Sequence, residues 1–301
     1  MKEFYSNGKL LITGEYVVLD GALSLALPTK FGQSLIVEAL DSSEIIWKSV
    51  DEKDAVWFEN TFTINDLAND SLHETDEISG RILQILNAVK TLNPDFLSDG
   101  KGFKITTKLT FPRHWGLGTS STLINNIAQW THVNPYDLLQ KTFGGSGYDI
   151  ACAQNNTPIS YLLHDGKPVV EVVNFNPSFK KHLYFVYLNK KQNSRDGIAQ
   201  YKQNKPHELI INDICKISIK LMNCKTLEVF EDLITLHENF ISEIIKQKPI
   251  KEQLFKDFEG SIKSLGAWGG DFIMVTSKEN PSSYFKNKGF DVIVPYEDMI
   301  L

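Results

Sequence analysis

The sequence has little cysteine and no long apolar run. Its three cysteines, Cys152, Cys215 and Cys224, are odd in number and lack the close spacing of metal ligands or of a disulfide framework. This pattern predicts a reducing, cytoplasmic location. No segment approaches the roughly 18 consecutive apolar residues of a membrane-spanning helix, and residues 1–5 do not begin a signal peptide. We therefore expect a protein with no membrane partner.

The net charge of the chain indicates the kind of partner, and its length indicates the number of domains. The net charge of −6 at pH 7 argues against a broad electrostatic interface with nucleic acid. Apolar residues make up 42% and charged residues 23% of the chain, which is typical of a globular protein. We expect a small-molecule partner and no nucleic acid, in a monomer or a homodimer. At about 150 residues per domain, the 301 residues predict two domains. The pattern of predicted elements changes after Asp149, which places the boundary near 155 and gives domains 1–155 and 156–301.

Hydrophobic patterns predict an α+β chain. A hairpin is predicted around Glu59 and Asn60, where polar residues separate two short apolar runs. The other predicted strands lie at 9–18, 22–27, 33–37, 44–47, 102–109, 159–163, 183–188, 273–275 and 292–294. The predicted helices lie at 76–92, 123–133, 208–222, 227–246, 250–265 and 278–288.

A segment rich in glycine and hydroxyl groups lies between the predicted strand at 102–109 and the predicted helix at 123–133. It reads Gly116-Leu117-Gly118-Thr119-Ser120-Ser121. Glycines let backbone amides approach a phosphate, hydroxyls bind phosphate oxygens or Mg²⁺, and a helix N-terminus favours an anion. No lysine precedes the hydroxyls, which excludes the GxxxxGK[ST] loop, and the HRD and DFG segments of protein kinases are missing. The alternative is a glycine turn with a Ser or Thr helix cap.

Three separated segments resemble, in order, the motifs of the GHMP kinases (galactokinase, homoserine kinase, mevalonate kinase and phosphomevalonate kinase). They are Gly8-Lys9-Leu10-Leu11-Ile12-Thr13-Gly14-Glu15-Tyr16, the segment 116–121, and Leu265-Gly266-Ala267-Trp268-Gly269-Gly270-Asp271. The resemblance implies a two-lobed fold, with an N-terminal ATP-binding lobe like ribosomal protein S5 domain 2 and a ferredoxin-like C-terminal lobe. It also implies ATP and Mg²⁺ as cofactors, with 116–121 as the ATP-binding loop. Trp268 stands where the family usually has glycine, and Thr119 where it has serine.

A fourth segment, Gly144-Gly145-Ser146-Gly147-Tyr148-Asp149, resembles the Gly-Ser-Gly-x-Asp stretch whose aspartate lies at the substrate in this family. The resemblance implies that Asp149 and Lys9 are catalytic. A carboxylate can accept or orient the proton of the attacking group, and a lysine can neutralise developing charge. The alternatives are that Asp149 caps a helix beginning at Ile150 and that Lys9 is a solvated strand residue.

The resemblance further implies a metal ligand and substrate contacts. Ser120 is the predicted Mg²⁺ ligand. The helical glutamate that mevalonate and homoserine kinases place before the catalytic stretch is missing, because the nearby residues are Asp137, Gln140 and Lys141. Mg²⁺ usually needs few protein ligands. The predicted substrate-binding residues are Glu15, Ser146, Gly147, Arg195, Gly269 and Gly270. Arg195 is included because a guanidinium suits a phosphorylated substrate, although 190–195 also fits a solvated turn.

Two segments favour one branch of the family. Residues 145–149 are similar to the Gly-Ser-Gly-Phe-Asp of phosphomevalonate kinases, and residues 269–271 are similar to the Gly-Gly-Asp that ends their third motif. Residues 14–21 also resemble the opening segment of mevalonate kinases. The expected function is an ATP-dependent kinase of phosphomevalonate or mevalonate in isoprenoid precursor synthesis. One alternative is a diphosphomevalonate decarboxylase, which would release CO₂. Another is a GHMP-like ATP-binding protein without turnover, to which Trp268 and the missing glutamate point.

Overall fold

The computed structural model describes residues 1–67, 76–190, 194–204 and 206–301, with the backbone alone at 194–196. In these residues the predicted α+β class is confirmed. The strands are Lys2–Leu11 (β1), Ser24–Ala39 (β2), Glu44–Val50 (β3), Val56–Thr63 (β4), Phe103–Leu109 (β5), Ile159–His164 (β6), Lys167–Val172 (β7), Leu183–Tyr187 (β8), Ile262–Ser264 (β9), Phe272–Thr276 (β10) and Ile293–Pro295 (β11). The α-helices are Glu77–Leu92 (α1), Thr119–Thr131 (α2), Pro135–Thr142 (α3), Tyr148–Gln154 (α4), Ser194–Gln203 (α5), Glu208–Asn223 (α6), Leu227–Ile245 (α7), Ile250–Leu254 (α8), Ser282–Asn287 (α9) and Tyr296–Met299 (α10).

The chain divides into two compact units, and the first comprises residues 1–8, 31–113 and 117–154. Its strands pair in the order β4-β3-β5-β2, with β3 and β5 parallel and the other pairs antiparallel. The hydrophobic core of this unit contains buried side chains from these four strands and from α1, α2, α3 and α4. The predicted strand–loop–helix order around residues 116–121 therefore corresponds to β5 followed by α2.

Helix α1 shows how the local sequence sets an element of this unit. The Asp76 carboxylate accepts hydrogen bonds from the N–H groups of Ile78 and Ser79 at 3.0 and 3.1 Å, which caps the helix start. Apolar residues then recur on one face, and Ile82 and Leu86 of that face are buried in the core. The helix ends before Pro94, which cannot continue it.

The second unit comprises residues 9–30, 114–116 and 155–301. Residues 24–26 of β2 pair antiparallel with β6, and β6 pairs with β7. A separate antiparallel sheet has the order β11-β8-β10-β9. One hydrophobic cluster packs α8 and α9 on this sheet, and another joins Trp268 to α5, α6 and α7. The domain boundary near residue 155 stays a prediction.

Several predicted elements are wrong in type or length. The predicted strands at 22–27 and 33–37 are parts of a single strand, β2, which continues through Pro28. The predicted hairpin around Glu59 and Asn60 is a single strand, β4, in which both residues pair with β3; an edge strand tolerates such polar residues. The predicted helix at 250–265 stops at Leu254, and 262–264 form β9, because pairing with β10 overrides helical spacing. The predicted strand at 9–18 ends at Leu11, before Gly14 turns the chain with φ +88°.

None of the helices in residues 1–67, 76–190, 194–204 and 206–301 combines the length and the apolar character needed to cross a bilayer.

Candidate phosphate-binding and catalytic site

The predicted phosphate loop leads into helix α2. Gly118 occupies the N-cap position with φ +99°, a left-handed conformation that glycine adopts without strain. Because glycine has no side chain, no side-chain oxygen caps this helix. The first N–H groups of an α-helix have no intrahelical partner. The start of α2 therefore offers backbone donors to an anion.

The hydroxyl groups in the first turn of α2 divide into two kinds. Ser121 Oγ donates to the carbonyl oxygen of Gly118 at 2.9 Å, and Thr122 Oγ1 donates to Gln33 Oε1 at 2.8 Å. These two side chains are buried and hold the turn in place. In the described part of the chain, the Ser120 hydroxyl has no hydrogen-bond partner, and its side chain is exposed. Ser120 is thus free to bind a ligand.

The entry to the loop, residues 114–116, belongs to the second unit. Tyr187 Oη donates to the carbonyl oxygen of His114 at 3.1 Å. Lys9 Nζ donates to the carbonyl oxygen of Gly116 at 3.0 Å. The structure thus brings Lys9, predicted to be catalytic, to the first residue of the predicted phosphate loop, rather than leaving it as a fully solvated strand residue.

Gly116 also lies against Asp271, the last residue of the third motif. A Cβ atom on Gly116 would lie 2.4 Å from Asp271 Cγ, so no other residue fits here without a shift. Asp271 itself has φ +53°. Its N–H donates to the carbonyl oxygen of Lys190 at 2.7 Å, and its carbonyl accepts from the N–H of Leu188 at 2.8 Å. The sequence analysis did not name Asp271 among the predicted site residues, although the residue ends the third motif.

Asp149 lies in the first turn of α4 and is half-buried. The turn before it contains Gly145 and Gly147, with φ +105° and +87°. Gln140 Nε2 of α3 donates to the carbonyl oxygen of Gly145 at 2.9 Å and so ties this turn to the neighbouring helix. Because α4 begins at Tyr148, the alternative interpretation of Asp149 as a cap before the helix is wrong. Its catalytic role stays a prediction.

The remaining predicted substrate-binding residues are placed as follows. Ser146 is buried, Gly270 is buried, and Gly269 is half-buried with φ +92°. Arg195 falls near the start of α5, and its side chain lies outside the described residues. Their contacts with a substrate, like that of Gly147, stay predictions.

Glu15 lies in a buried ionic cluster of the second unit. Its side chain is 1% exposed, and its Oε1 accepts a hydrogen bond from Lys263 Nζ. Lys263 Nζ also donates to Glu238 Oε1 at 3.1 Å. His237 Nε2 lies 3.5 Å from Glu15 Oε2 and accepts from the N–H of Gly14 at 2.9 Å. The Glu15 carboxylate thus faces Lys263 and His237 rather than solvent, and its predicted substrate contact stays a prediction.

Burial sets the protonation of this cluster. Burial raises the pKa of Glu15 to about 7, although Lys263 opposes the shift, and burial also raises the pKa of Glu238. Burial alone would lower the pKa of Lys263, but the two carboxylates raise it above its usual value. Burial and then Lys263 lower the pKa of His237, so its ring is neutral and can accept the Gly14 N–H.

The Trp268 side chain of the third motif is buried in the second unit. The side chain is 3% exposed and packs with Tyr16 and Tyr201. The backbone N–H of Trp268 donates to Tyr16 Oη at 3.1 Å. The tryptophan therefore fixes the third motif to the core of the second unit.

The residues present fit a metal–nucleotide complex. Among the described residues, no group of three or more His, Cys, Asp or Glu is placed to hold a metal ion. Mg²⁺ in nucleotide sites needs only one or two protein ligands, because phosphates and waters supply the others. The start of α2 provides uncapped amides and the exposed Ser120 hydroxyl for such a group.

Comparison with solved structures identifies the fold. No protein-family model matches the sequence, and no curated protein matches it, but solved structures do, and they show that the chain has the GHMP kinase fold that the motifs predict. A mevalonate kinase structure is 17% identical, with 97% of this chain and 98% of that chain covered and a TM-score of 0.72. The phosphomevalonate kinase of Streptococcus pneumoniae, in complex with phosphomevalonate and AMPPNP, is 16% identical, with 100% of this chain and 98% of that chain covered and a TM-score of 0.69. The galactokinase of Lactococcus lactis, complexed with galactose, is 13% identical, with 95% of this chain and 88% of that chain covered and a TM-score of 0.61.

Proposed function

We propose that this protein is an ATP-dependent small-molecule kinase whose acceptor is phosphomevalonate or mevalonate. The observation that carries the proposal is the start of α2, where Gly118 leaves the helix uncapped and Ser120 presents an exposed hydroxyl. The GHMP kinase fold supports it, because the similar structures are kinases.

The nucleotide-binding part of the proposal uses residues of the loop and Lys9. Bound MgATP supplies the phosphoryl group and a cation that offsets its negative charge. The amides in the first turn of α2 bind phosphate oxygens, and Ser120 binds the metal. Lys9, held at the Gly116 carbonyl at 3.0 Å, brings a positive charge to the loop entry. That charge stabilises the negative charge that develops during transfer.

The acceptor-binding part of the proposal centres on Asp149. Its carboxylate accepts or orients the proton of the attacking oxygen. The glycine turn before α4 leaves backbone groups close to the acceptor, since glycines have no side chains to block it. The names of similar structures include mevalonate, phosphomevalonate and galactose kinases. The choice among them rests on residues 145–149 and 269–271, whose sequences are similar to those of phosphomevalonate kinases.

A coupled ADP-release assay tests the proposal directly. Mevalonate, phosphomevalonate, homoserine and galactose are offered with MgATP, and turnover with mevalonate or phosphomevalonate supports it. Turnover only with another acceptor would show that the proposed acceptor is wrong and that the proposed kinase activity is right. CO₂ release from diphosphomevalonate identifies a decarboxylase, and ATP binding without turnover on any acceptor identifies a binding protein.

Ser120→Ala is expected to lower kcat/KM for MgATP by about 10- to 100-fold, the equivalent of one hydrogen bond to a charged group. The variant removes the exposed hydroxyl and leaves the internal bonds of Ser121 and Thr122 in place. Steady-state kinetics at several Mg²⁺ concentrations measure the effect. Ser98→Ala, at an exposed serine outside the loop, is the matched control. Equal kinetics for the two variants would remove Ser120 from the metal site.

A further inference from the structure

The third motif places a carboxylate at the entry to the predicted phosphate loop, within the second unit. A Cβ atom on Gly116 would lie 2.6 and 2.7 Å from Oδ2 and Oδ1 of Asp271. Both carboxylate oxygens therefore lie beside the Gly116 backbone. Lys9 Nζ is bonded to the carbonyl oxygen of the same glycine at 3.0 Å. One acidic and one basic side chain thus meet at the first residue of the loop.

The backbone of Asp271 is fixed in a conformation that favours glycine. Its φ is +53°, yet the residue is an aspartate that follows two glycines. The N–H of Asp271 donates to Lys190 at 2.7 Å, and its carbonyl accepts from Leu188 at 2.8 Å. These bonds continue the pairing of β8 with β10 beyond Tyr187 and Phe272. These two backbone hydrogen bonds hold Asp271 beside Gly116.

Electrostatics decides what this carboxylate can do beside a nucleotide. A carboxylate near a polyphosphate repels it, because like charges repel strongly where water is partly excluded. The same carboxylate attracts a divalent cation, and Mg²⁺ in nucleotide sites takes one or two carboxylates together with phosphate oxygens.

We propose that Asp271 is a further metal-binding residue, which holds the divalent cation of the metal–nucleotide complex at the loop entry. The inference rests on the proposed function, because it requires a nucleotide at Gly116. Asp271 then makes the site selective for the metal-bound nucleotide. It lowers affinity for the metal-free form by repulsion and raises affinity for the metal-bound form by coordination.

Calorimetric titration with AMPPNP tests this selectivity without turnover. Wild type, Asp271→Asn and Asp291→Asn are titrated in excess Mg²⁺ and in EDTA, and the ratio of the two affinities is compared. Asn keeps the size of the side chain and tolerates positive φ, so Asp271→Asn removes chiefly the charge. We expect this variant to reduce the preference for the Mg²⁺ form by about 10-fold or more, as expected for losing a charged ligand in a partly buried site. Asp291, an exposed aspartate elsewhere in the second unit, should keep the wild-type preference on substitution.

The outcomes separate the inference from the proposed function. An Asp271→Asn protein that binds both forms more weakly by the same factor, with an unchanged preference, overturns the inference and leaves a purely structural aspartate. A wild-type protein that binds AMPPNP in neither condition overturns the proposed function and the inference with it. If Asp271→Asn does not fold, Asp271→Gly replaces it, because glycine suits φ +53° and also removes the carboxylate.

Discussion

Asp149→Asn is expected to lower kcat on the true acceptor by about 10²- to 10⁴-fold, the usual range for general-base assistance. Asn keeps the size of the side chain and part of its hydrogen bonding but cannot carry the negative charge that attracts the acceptor's proton. Affinity for MgATP should stay close to wild type, because the nucleotide is assigned to the loop at 116–121. Steady-state kinetics with saturating acceptor measure kcat, and titration with AMPPNP measures the nucleotide affinity.

The control for this prediction is a charge removal elsewhere in the first unit. Asp95→Asn changes an exposed aspartate outside the motifs and should leave kcat unchanged. The loss of a negative charge in the first turn of α4 is expected to cost only about 0.3–1 kcal/mol of stability, so Asp149→Asn should fold. If transfer is largely dissociative, positioning outweighs proton removal and the drop falls toward the lower end. Wild-type kcat in a folded Asp149→Asn protein would end its catalytic assignment.

The spacing of apolar residues predicted the helices that are determined by their own local sequence. Helices α1, α6 and α7 each bury an apolar stripe and carry an N-cap, at Asp76, His207 and Thr226, so their sequence is sufficient to define them. Strands β4 and β9 were mispredicted because pairing with another strand decides them. The polar Glu59 and Asn60 of β4 stay in register with β3. The helical spacing at 262–264 has no effect once these residues pair with β10.

For the candidate site, too, the sequence pointed to residues within local motifs but not to partners that are distant in the chain. The loop at 116–121 and Lys9 lie in motifs, and the structure brings Lys9 to Gly116. The partners of Glu15 could not be predicted, because Lys263 is 248 residues away in the chain. Lys263 is also one of several charged residues in the segment 250–265, where the apolar residues had a spacing that favoured a helix. Only the paired strands β9 and β10 reveal that its side chain points into the core.

Lys263→Met is expected to lower the free energy of unfolding by about 3–5 kcal/mol, the usual cost of leaving a buried charge without its partner. Methionine fills the space of the lysine side chain but leaves Glu15 and Glu238 buried without a cation. Chemical denaturation at pH 7 measures the loss. An unfolding free energy within about 1 kcal/mol of wild type would mean that the cluster is not charged as described.

Glu15→Gln is the matched variant, and it should cost much less than Lys263→Met. Glutamine resembles protonated Glu15 and keeps the Lys263–Glu238 pair intact. The pKa of Glu15 is about 7 in the folded protein, against 4.5 for an unperturbed glutamate. Between these values the folded state binds more protons than the unfolded state, so the stability that this group contributes is present below 4.5 and is lost as pH rises through 7.

The pH dependence of Glu15→Gln therefore has a definite sign. Its stability deficit relative to wild type should shrink as pH rises from about 5 to about 8, because wild type loses the Glu15 contribution over this range and the variant has none to lose. His237, with its lowered pKa, acts in the opposite direction, since its neutral form is favoured in the folded state. That effect is present in both proteins and cancels to first order in their difference. Denaturation curves of both proteins at several pH values test this, and a deficit that stays constant over this range would show that Glu15 is ionised throughout, held by Lys263.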